Sequence, residues 1–332
     1  MKKALVLSVV SALCAVFVAG PAAAASNDTH RAKQWGLNKI QAEQAWTTAD
    51  GTGAIVAVVD SGVDMGHPDL DGKLLAGHDF VDGGTPQDEN GHGTHVAGIV
   101  GAETNNGIGV AGTAPGARIL PVRVLDEEGS GDTDAVANGI RYAADQGADV
   151  INLSLGIVSG VGTAVKLIGE LDPIYDAIDH AWSRGSVVVI AAGNDTVPLC
   201  AEPASHPQAL CIGATDNRDL MSFFSDSDAT MTSKYMVAPG GDGLTCAGDI
   251  FSTYLRSKAQ SSCSPEAGYE ALAGTSMATP FVAGVAGLLA GKGYTNAQIV
   301  NCLITRNDDL GVPGRDPVYG YGRLNALKAV GC

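Results

Sequence analysis

Five short stretches in which almost every residue is apolar punctuate this chain: GAIVAVVD (53–60), ARILPVRVL (117–125), ADVINLSLG (148–156), SVVVIAAGN (186–194) and ALCIGAT (209–215). A strand with one wet face alternates apolar and polar residues. Runs without that alternation belong to strands covered on both faces. Stretches with helical character lie between them, THVAGIVGA (94–102), TDAVANGIRYAADQG (133–147) and PIYDAIDHAWSRG (173–185), and two more follow, SMATPFVAGVAGLLAG (276–291) and NAQIVNCLITR (296–306). Strand and helix in repetition predict a three-layer α/β fold, a mostly parallel sheet flanked by helices and joined by right-handed crossovers. With 332 residues, 45% of them apolar, and no internal repeat, one large domain is the simplest reading.

The first 25 residues stand apart. Lys2 and Lys3 precede an apolar run from Ala4, then Gly20-Pro21 and a row of alanines before Ser26. That is the layout of a secretory signal with a small-residue cleavage site, so residues 1–25 are expected to be removed, leaving a secreted, extracellular domain over 26–332. An uncleaved anchor is the alternative, and Leu13 before Cys14 is too bulky for the usual lipoprotein site. The formal charge of −16 becomes two units more negative once the two lysines are lost. Nucleic acid and anionic membrane surfaces are therefore not expected as partners. Six cysteines remain after cleavage, Cys200, Cys211, Cys246, Cys263, Cys302 and Cys332. An even count in an exported chain suggests disulfides; sequence alone does not choose among the pairings, and nearest neighbours are the expectation.

In sheets of this kind chemistry gathers at the carboxyl ends of the strands. Asp60 ends the first apolar run, Asn194 ends the fourth, His92 sits in GHGTHVAG at the start of a helix, and Ser276 opens the late helix in GTSMATP. Singly, each has an ordinary explanation: Asp60 capping a turn, His92 as a buried hydrogen-bonded ring, Asn194 in a turn, Ser276 as a helix cap. Together they are a chemical set. A serine hydroxyl becomes nucleophilic when an imidazole takes its proton, a carboxylate orients that imidazole, and a side-chain amide donates to the developing oxyanion.

The motifs VVDSGVD around Asp60, GHGTHVAG around His92, AAGN ending in Asn194 and GTSMATP around Ser276 resemble those of subtilisin-like serine proteases, the subtilases, and the resemblance runs from about residue 34 to about residue 330. It implies a subtilisin-like fold and a serine endopeptidase in which Ser276 is the nucleophile, His92 the general acid and base, Asp60 the orienting carboxylate and Asn194 the oxyanion donor, working through an acyl-enzyme. Asp64 and His95, close by in the same motifs, are expected to be structural. The family's substrate edges match Gly129, Ser130 and Gly131 and Ser154, Leu155 and Gly156, where small residues let an extended polypeptide add as a strand. Acidic residues near them, Glu127, Glu128, Asp132, Asp134 and Asp195, would favour basic substrates or simply form a solvated face.

The resemblance also implies a structural calcium ion held by Asp69 in HPDL and by Asn106, Ile108 and Val110 in NNGIGV, hard oxygen donors of the kind calcium takes. His92 and His95 lack the third ligand that zinc needs. Two departures stand out. Ser26 leads almost directly into QWGLNKIQAEQAW, which resembles a mature start, so no propeptide is evident and a separate folding helper or inhibitor becomes a possible partner of a monomeric enzyme. The stretch 157–172 is insertion-like and follows one substrate edge. Two other classes compete: a lipase-type hydrolase, which needs Gly-x-Ser-x-Gly and the order Ser, Asp, His, and a catalytically silent subtilase-fold binding protein.

Overall fold

The computed structural model describes residues 25–156, 166–168, 170–258, 261–264 and 266–332. Residues 1–24, which hold nearly all of the expected secretory signal and Cys14 within it, and most of the insertion-like stretch 157–172 lie outside the described residues. Among those described, the strands in chain order are β1 (Ile55–Asp60), β2 (His78–Asp79), β3 (Arg118–Arg123), β4 (Ser130–Asp132), β5 (Val150–Leu153), β6 (Lys166–Ile168), β7 (Val187–Ala191), β8 (Ala209–Thr215), β9 (Lys234–Pro239), β10 (Ile250–Thr253) and β11 (Tyr269–Leu272). The helices are α1 (Trp35–Lys39), α2 (Ala42–Trp46), α3 (His92–Gly101), α4 (Thr133–Asp145), α5 (Asp172–Ser183), α6 (Thr275–Gly291), α7 (Asn296–Thr305) and α8 (Ala326–Val330).

Seven strands form one sheet in the order β2-β3-β1-β5-β7-β8-β9, every neighbouring pair parallel. All five apolar runs are strands of it, and their alternate residues serve opposite cores. Val56, Val58, Val187, Val189, Leu210 and Ile212 join the cluster that includes α3 and α6. Ala57, Val59, Val188, Ile190, Ala209 and Cys211 join the cluster with α4 and α5. This is the physical reason the runs are apolar throughout: neither face of the strand meets water.

From β1 the sheet grows first toward β3 and then, in the other direction, through β5 to β9. That reversal opens a crevice beside the carboxyl end of β1, the place where such sheets hold ligands. Two small sheets lie apart. β10 and β11 form an antiparallel pair against α3. The other pair is β4 with β6, parallel, with Gly131 opposite Leu167; the segment expected as an open edge for a peptide thus pairs here within the chain.

Local chemistry explains the helix starts. Asp132 accepts the Ala135 N–H at 2.7 Å and caps α4; Thr295 and Gln298 form a reciprocal capping box on α7. The structure contains the bridges Cys200–Cys211, Cys246–Cys263 and Cys302–Cys332, the nearest-neighbour pairs. The last ties α7 to the chain end beyond α8. Replacing both partners, Cys302→Ser with Cys332→Ser, is expected to lower the unfolding free energy by roughly 3–4 kcal/mol, since the bridge closes a loop of about 30 residues; equilibrium denaturant unfolding measures it.

Candidate active site

Asp60 is the last residue of β1 and has no solvent exposure. Its Oδ1 accepts the Ser61 N–H at 2.7 Å and faces His92 Nδ1 at 2.8 Å, while Oδ2 has no partner among the described residues. A carboxylate accepts only, so Nδ1 carries the proton and a neutral His92 presents a bare Nε2. Burial acts to lower the His92 pKa, but the charge and hydrogen bond of Asp60, with the charge of Asp88, outweigh it and hold the ring above its ordinary value. The contact joins residues 32 positions apart. Glycine makes it possible: a Cβ on Gly93 would lie 2.1 Å from the Gly62 carbonyl oxygen, and Gly91 caps α3 at φ 109°.

Ser276 lies in the first turn of α6. Its side chain does not cap the helix: Gly274 is the N-cap residue and no side chain serves there. Pro280, four residues on, has no N–H to give the Ser276 carbonyl. The Ser154 hydroxyl fills that gap, donating to Ser276 O at 2.8 Å, and Ser276 Oγ donates in return to Ser154 O at 3.1 Å. The nascent turn of α6 is thus fastened to the end of β5. Ser276 Oγ makes no hydrogen bond to His92 among the described residues.

The Asn194 side chain has one orientation consistent with its neighbours. Its Oδ1 accepts the Thr275 N–H at 2.9 Å and Thr275 Oγ1 at 3.1 Å. A backbone N–H can only donate, so the amide NH2 is turned away, and it donates to no protein group among the described residues. Asn194 has no left-handed φ, unlike a turn asparagine. The sequence motifs do not single out Thr275, Ser61 or Asp88, although Thr275 and Ser61 sit inside quoted motifs; Ser154, expected at a substrate edge, holds the Ser276 carbonyl through its hydroxyl. The side groups of Asp64 and His95 are engaged elsewhere, Asp64 with Arg256 at 2.8 Å and His95 with the carbonyls of Ile250 and Glu270. Leu155, expected at a substrate edge, is buried.

At the other expected site, Asp69 is fully buried, and burial lifts its carboxyl to about 6 against the pull of the Val110 N–H and the Asn106 amide, with the charge of Asp28 adding to the rise. Asn106 differs from expectation: its Nδ2 donates to Asp69 Oδ1 at 2.9 Å and its Oδ1 accepts the Ile108 N–H. No three His, Cys, Asp or Glu side chains converge as a metal centre among the described residues. The donor chemistry nevertheless fits a hard cation. Asp28 and Asp69 are both buried, and neither has an ion-pair partner among the described residues. The Gly107 and Gly109 carbonyls are taken by Thr29 and His30, while those of Ile108 and Val110 accept no hydrogen bond among the described residues.

Residues 51–322 match the model of the subtilase family. The chain belongs to that family. It is 48% identical over 299 residues to thermitase of Thermoactinomyces vulgaris, spanning 90% of this chain and 96% of that one. It is 38% identical over 299 residues to Subtilisin Savinase of Lederbergia lenta, covering 89% and 97%. A solved protease structure from Pseudoalteromonas arctica superposes with a TM-score of 0.80 at 31% identity, covering 93% of this chain and 99% of that one. This subtilase is a subtilisin-type serine endopeptidase, a hydrolase of polypeptides. A lipase-type hydrolase is excluded with it.

His92, held above its unfolded value of 6.5, favours folding most below that pH, and the contribution is lost as the pH rises through the raised folded value. Asp60→Asn removes the charge that raises it. The NMR titration midpoint of His92 is expected to fall by about one pH unit or more in that variant, and a midpoint that does not move would refute this account of the pair.

Proposed function

We propose that this subtilase cleaves peptide bonds outside the cell through Ser276, His92 and Asp60, with Asn194 stabilising the oxyanion. The observation that carries the reading is the buried Asp60–His92 contact at 2.8 Å, and the Asn194 amide, whose oxygen is taken by Thr275 next to Ser276, accords with it. In the reaction, Ser276 Oγ exchanges the Ser154 carbonyl for His92 Nε2 and gives it its proton while attacking the scissile carbonyl carbon. Asp60 holds the resulting imidazolium by its Nδ1–H. The carbonyl oxygen gains the negative charge, facing Asn194 Nδ2 and the Ser276 N–H at the positive end of α6. Collapse breaks the C–N bond, His92 passes its proton to the leaving amine, and an acyl-enzyme remains. Water then repeats the sequence, giving its proton to His92 and its oxygen to the acyl carbon, and Ser276 is restored. The substrate backbone runs extended along Ser154–Gly156, with Gly129–Gly131, one edge of which pairs with β6, on the opposite wall.

Residues 1–25 acting as an export signal and the three disulfides both support an oxidising, extracellular setting. Calcium belongs to the same reading, with Asp69 and the carbonyls of Ile108 and Val110 as ligands and Asp28 beside them; Asn106 would join them only after its amide leaves Asp69. The ion would supply the positive charge that two buried carboxylates lack.

Ser276→Ala is expected to abolish both cleavage of an unfolded protein and labelling by a fluorophosphonate, leaving the fold intact by circular dichroism. A folded wild type that neither cleaves nor labels would return the silent binding-protein reading. For calcium, a chelator is expected to lower the thermal midpoint of the wild type by roughly 5 °C or more, and to leave Asp69→Asn where it is. An unmoved wild-type midpoint would remove the ion from this account.

A further inference from the structure

The turn that leads into α3 holds a second buried carboxylate. Asp88 is 3% exposed. Its Oδ1 accepts from Ser61 Oγ, Asn90 N and Gly91 N, each at 2.9 Å. Its Oδ2 accepts from the Thr94 N–H at 3.0 Å and Thr94 Oγ1 at 2.6 Å. The two hydroxyls have defined directions. Ser61 Oγ accepts the Gly93 N–H at 3.0 Å, and Thr94 Oγ1 accepts the Asp64 N–H at 2.8 Å, so each sends its single proton to Asp88. Burial pushes the Asp88 carboxyl up, and the hydrogen bonds from Thr94, Gly91 and Ser61 pull against it; among the described residues five donors and no acceptor face the group, a surrounding that favours its ionised form.

The donors come from both halves of the candidate site. Ser61 follows Asp60 at the end of β1, whereas Asn90, Gly91 and Thr94 flank His92 at the start of α3. We propose that Asp88 is a positioning residue for the Asp60–His92 pair: it fastens the end of β1 to the start of α3, and its buried charge favours the imidazolium that forms when Ser276 gives up its proton. The inference rests on the function proposed above.

The other charged groups nearby leave this assignment standing. Burial holds His95 down to about 3, so it stays neutral, and its bonds run to carbonyls of β10 and β11. Asp64 is paired with Arg256 and Glu89 with Arg123. Tyr254 is pushed up by burial and by the Asp88 charge, so its phenol stays protonated. Asp60 and Asp88 remain as the two anions acting on His92, and both raise its pKa. An amide at position 88 would keep one acceptor and lose the charge, and its NH2 would meet donors where an acceptor is needed.

The test is Asp88→Asn beside Ser61→Ala, which keeps the charge and removes one tie. In Asp88→Asn the NMR titration midpoint of His92 is expected to fall by about half a pH unit, the acid limb of kcat/KM to follow it, and plateau kcat to drop about 10-fold with KM changed by less than about two-fold. In Ser61→Ala, kcat is expected to fall several-fold while the midpoint stays. An unmoved midpoint in Asp88→Asn overturns the proposal even if the variant loses thermal stability. If Asp88→Asn does not fold, Ser61→Ala decides: an unchanged kcat overturns the proposal, and a lower kcat at constant KM and constant midpoint upholds it. A wild type without protease activity whose His92 midpoint still falls in Asp88→Asn would count against the proposed reaction and leave the electrostatic link intact.

Discussion

A carboxylate without solvent contact constrains everything around it. Asp60 is fully buried at the end of β1, and a buried charge is tolerated only where donors or opposite charge meet it. Here those partners are the N–H of the next residue and the Nδ1–H of a ring 32 positions away. The chain has to deliver that ring within hydrogen-bond reach of the strand end. The delivery depends on the absence of a side chain at Gly93, where even a Cβ would strike the Gly62 carbonyl. The start of α3 is therefore set by the needs of β1, and the ties through Ser61 and Asp88 keep it there.

The sheet order turns this local requirement into a site. Because β1 lies between β3 and β5, its carboxyl end borders the crevice where the direction of winding reverses, and the end of β5 is the next wall. α6 comes from the far end of the sequence to meet that wall, packed against α3 and across β5, β7, β8 and β9. What locks its first turn is a backbone defect: Pro280 leaves the Ser276 carbonyl without its helical donor, and the Ser154 hydroxyl takes the vacant place. A proline that weakens the helix thus strengthens the contact between two distant segments.

Much of this was legible in the sequence, for reasons that differ from element to element. The five apolar runs became strands because double-faced burial leaves them apolar throughout, and their short length sets them apart from the longer apolar run of the buried helix α6. The ends were less legible: α3 begins at His92, earlier than the apolar pattern beginning at 94, since Gly91 and Gly93 resemble a loop until the close approach to β1 is known. β9, KYMVAP, mixes Lys and Tyr with apolar residues, and β10 and β11 pair across an intervening segment, so neither carries a strong local pattern. At the site, residue types and order pointed to Asp60, His92, Asn194 and Ser276. Side-chain direction was not legible. Asn106 was read as an oxygen ligand but turns its NH2 to Asp69, and Asp88 acquires its meaning only when Ser61 and Thr94 fold onto it.

The two groups that meet the substrate in the proposed reaction are held with unequal firmness, and the inequality suits their tasks. Asn194 is anchored twice by Thr275, through a backbone N–H and a hydroxyl. An oxyanion donor works by being aimed before charge develops, so any freedom it kept would have to be lost during the barrier crossing. Among the described residues the Ser276 hydroxyl has one hydrogen bond, at 3.1 Å to the Ser154 carbonyl. It has to leave that acceptor for His92 within the reaction, and a stronger hold would oppose the step. Rigidity at position 194 and a single replaceable bond at position 276 are consequences of the same first turn of α6, whose residue 275 faces Asn194 and whose residue 276 faces β5.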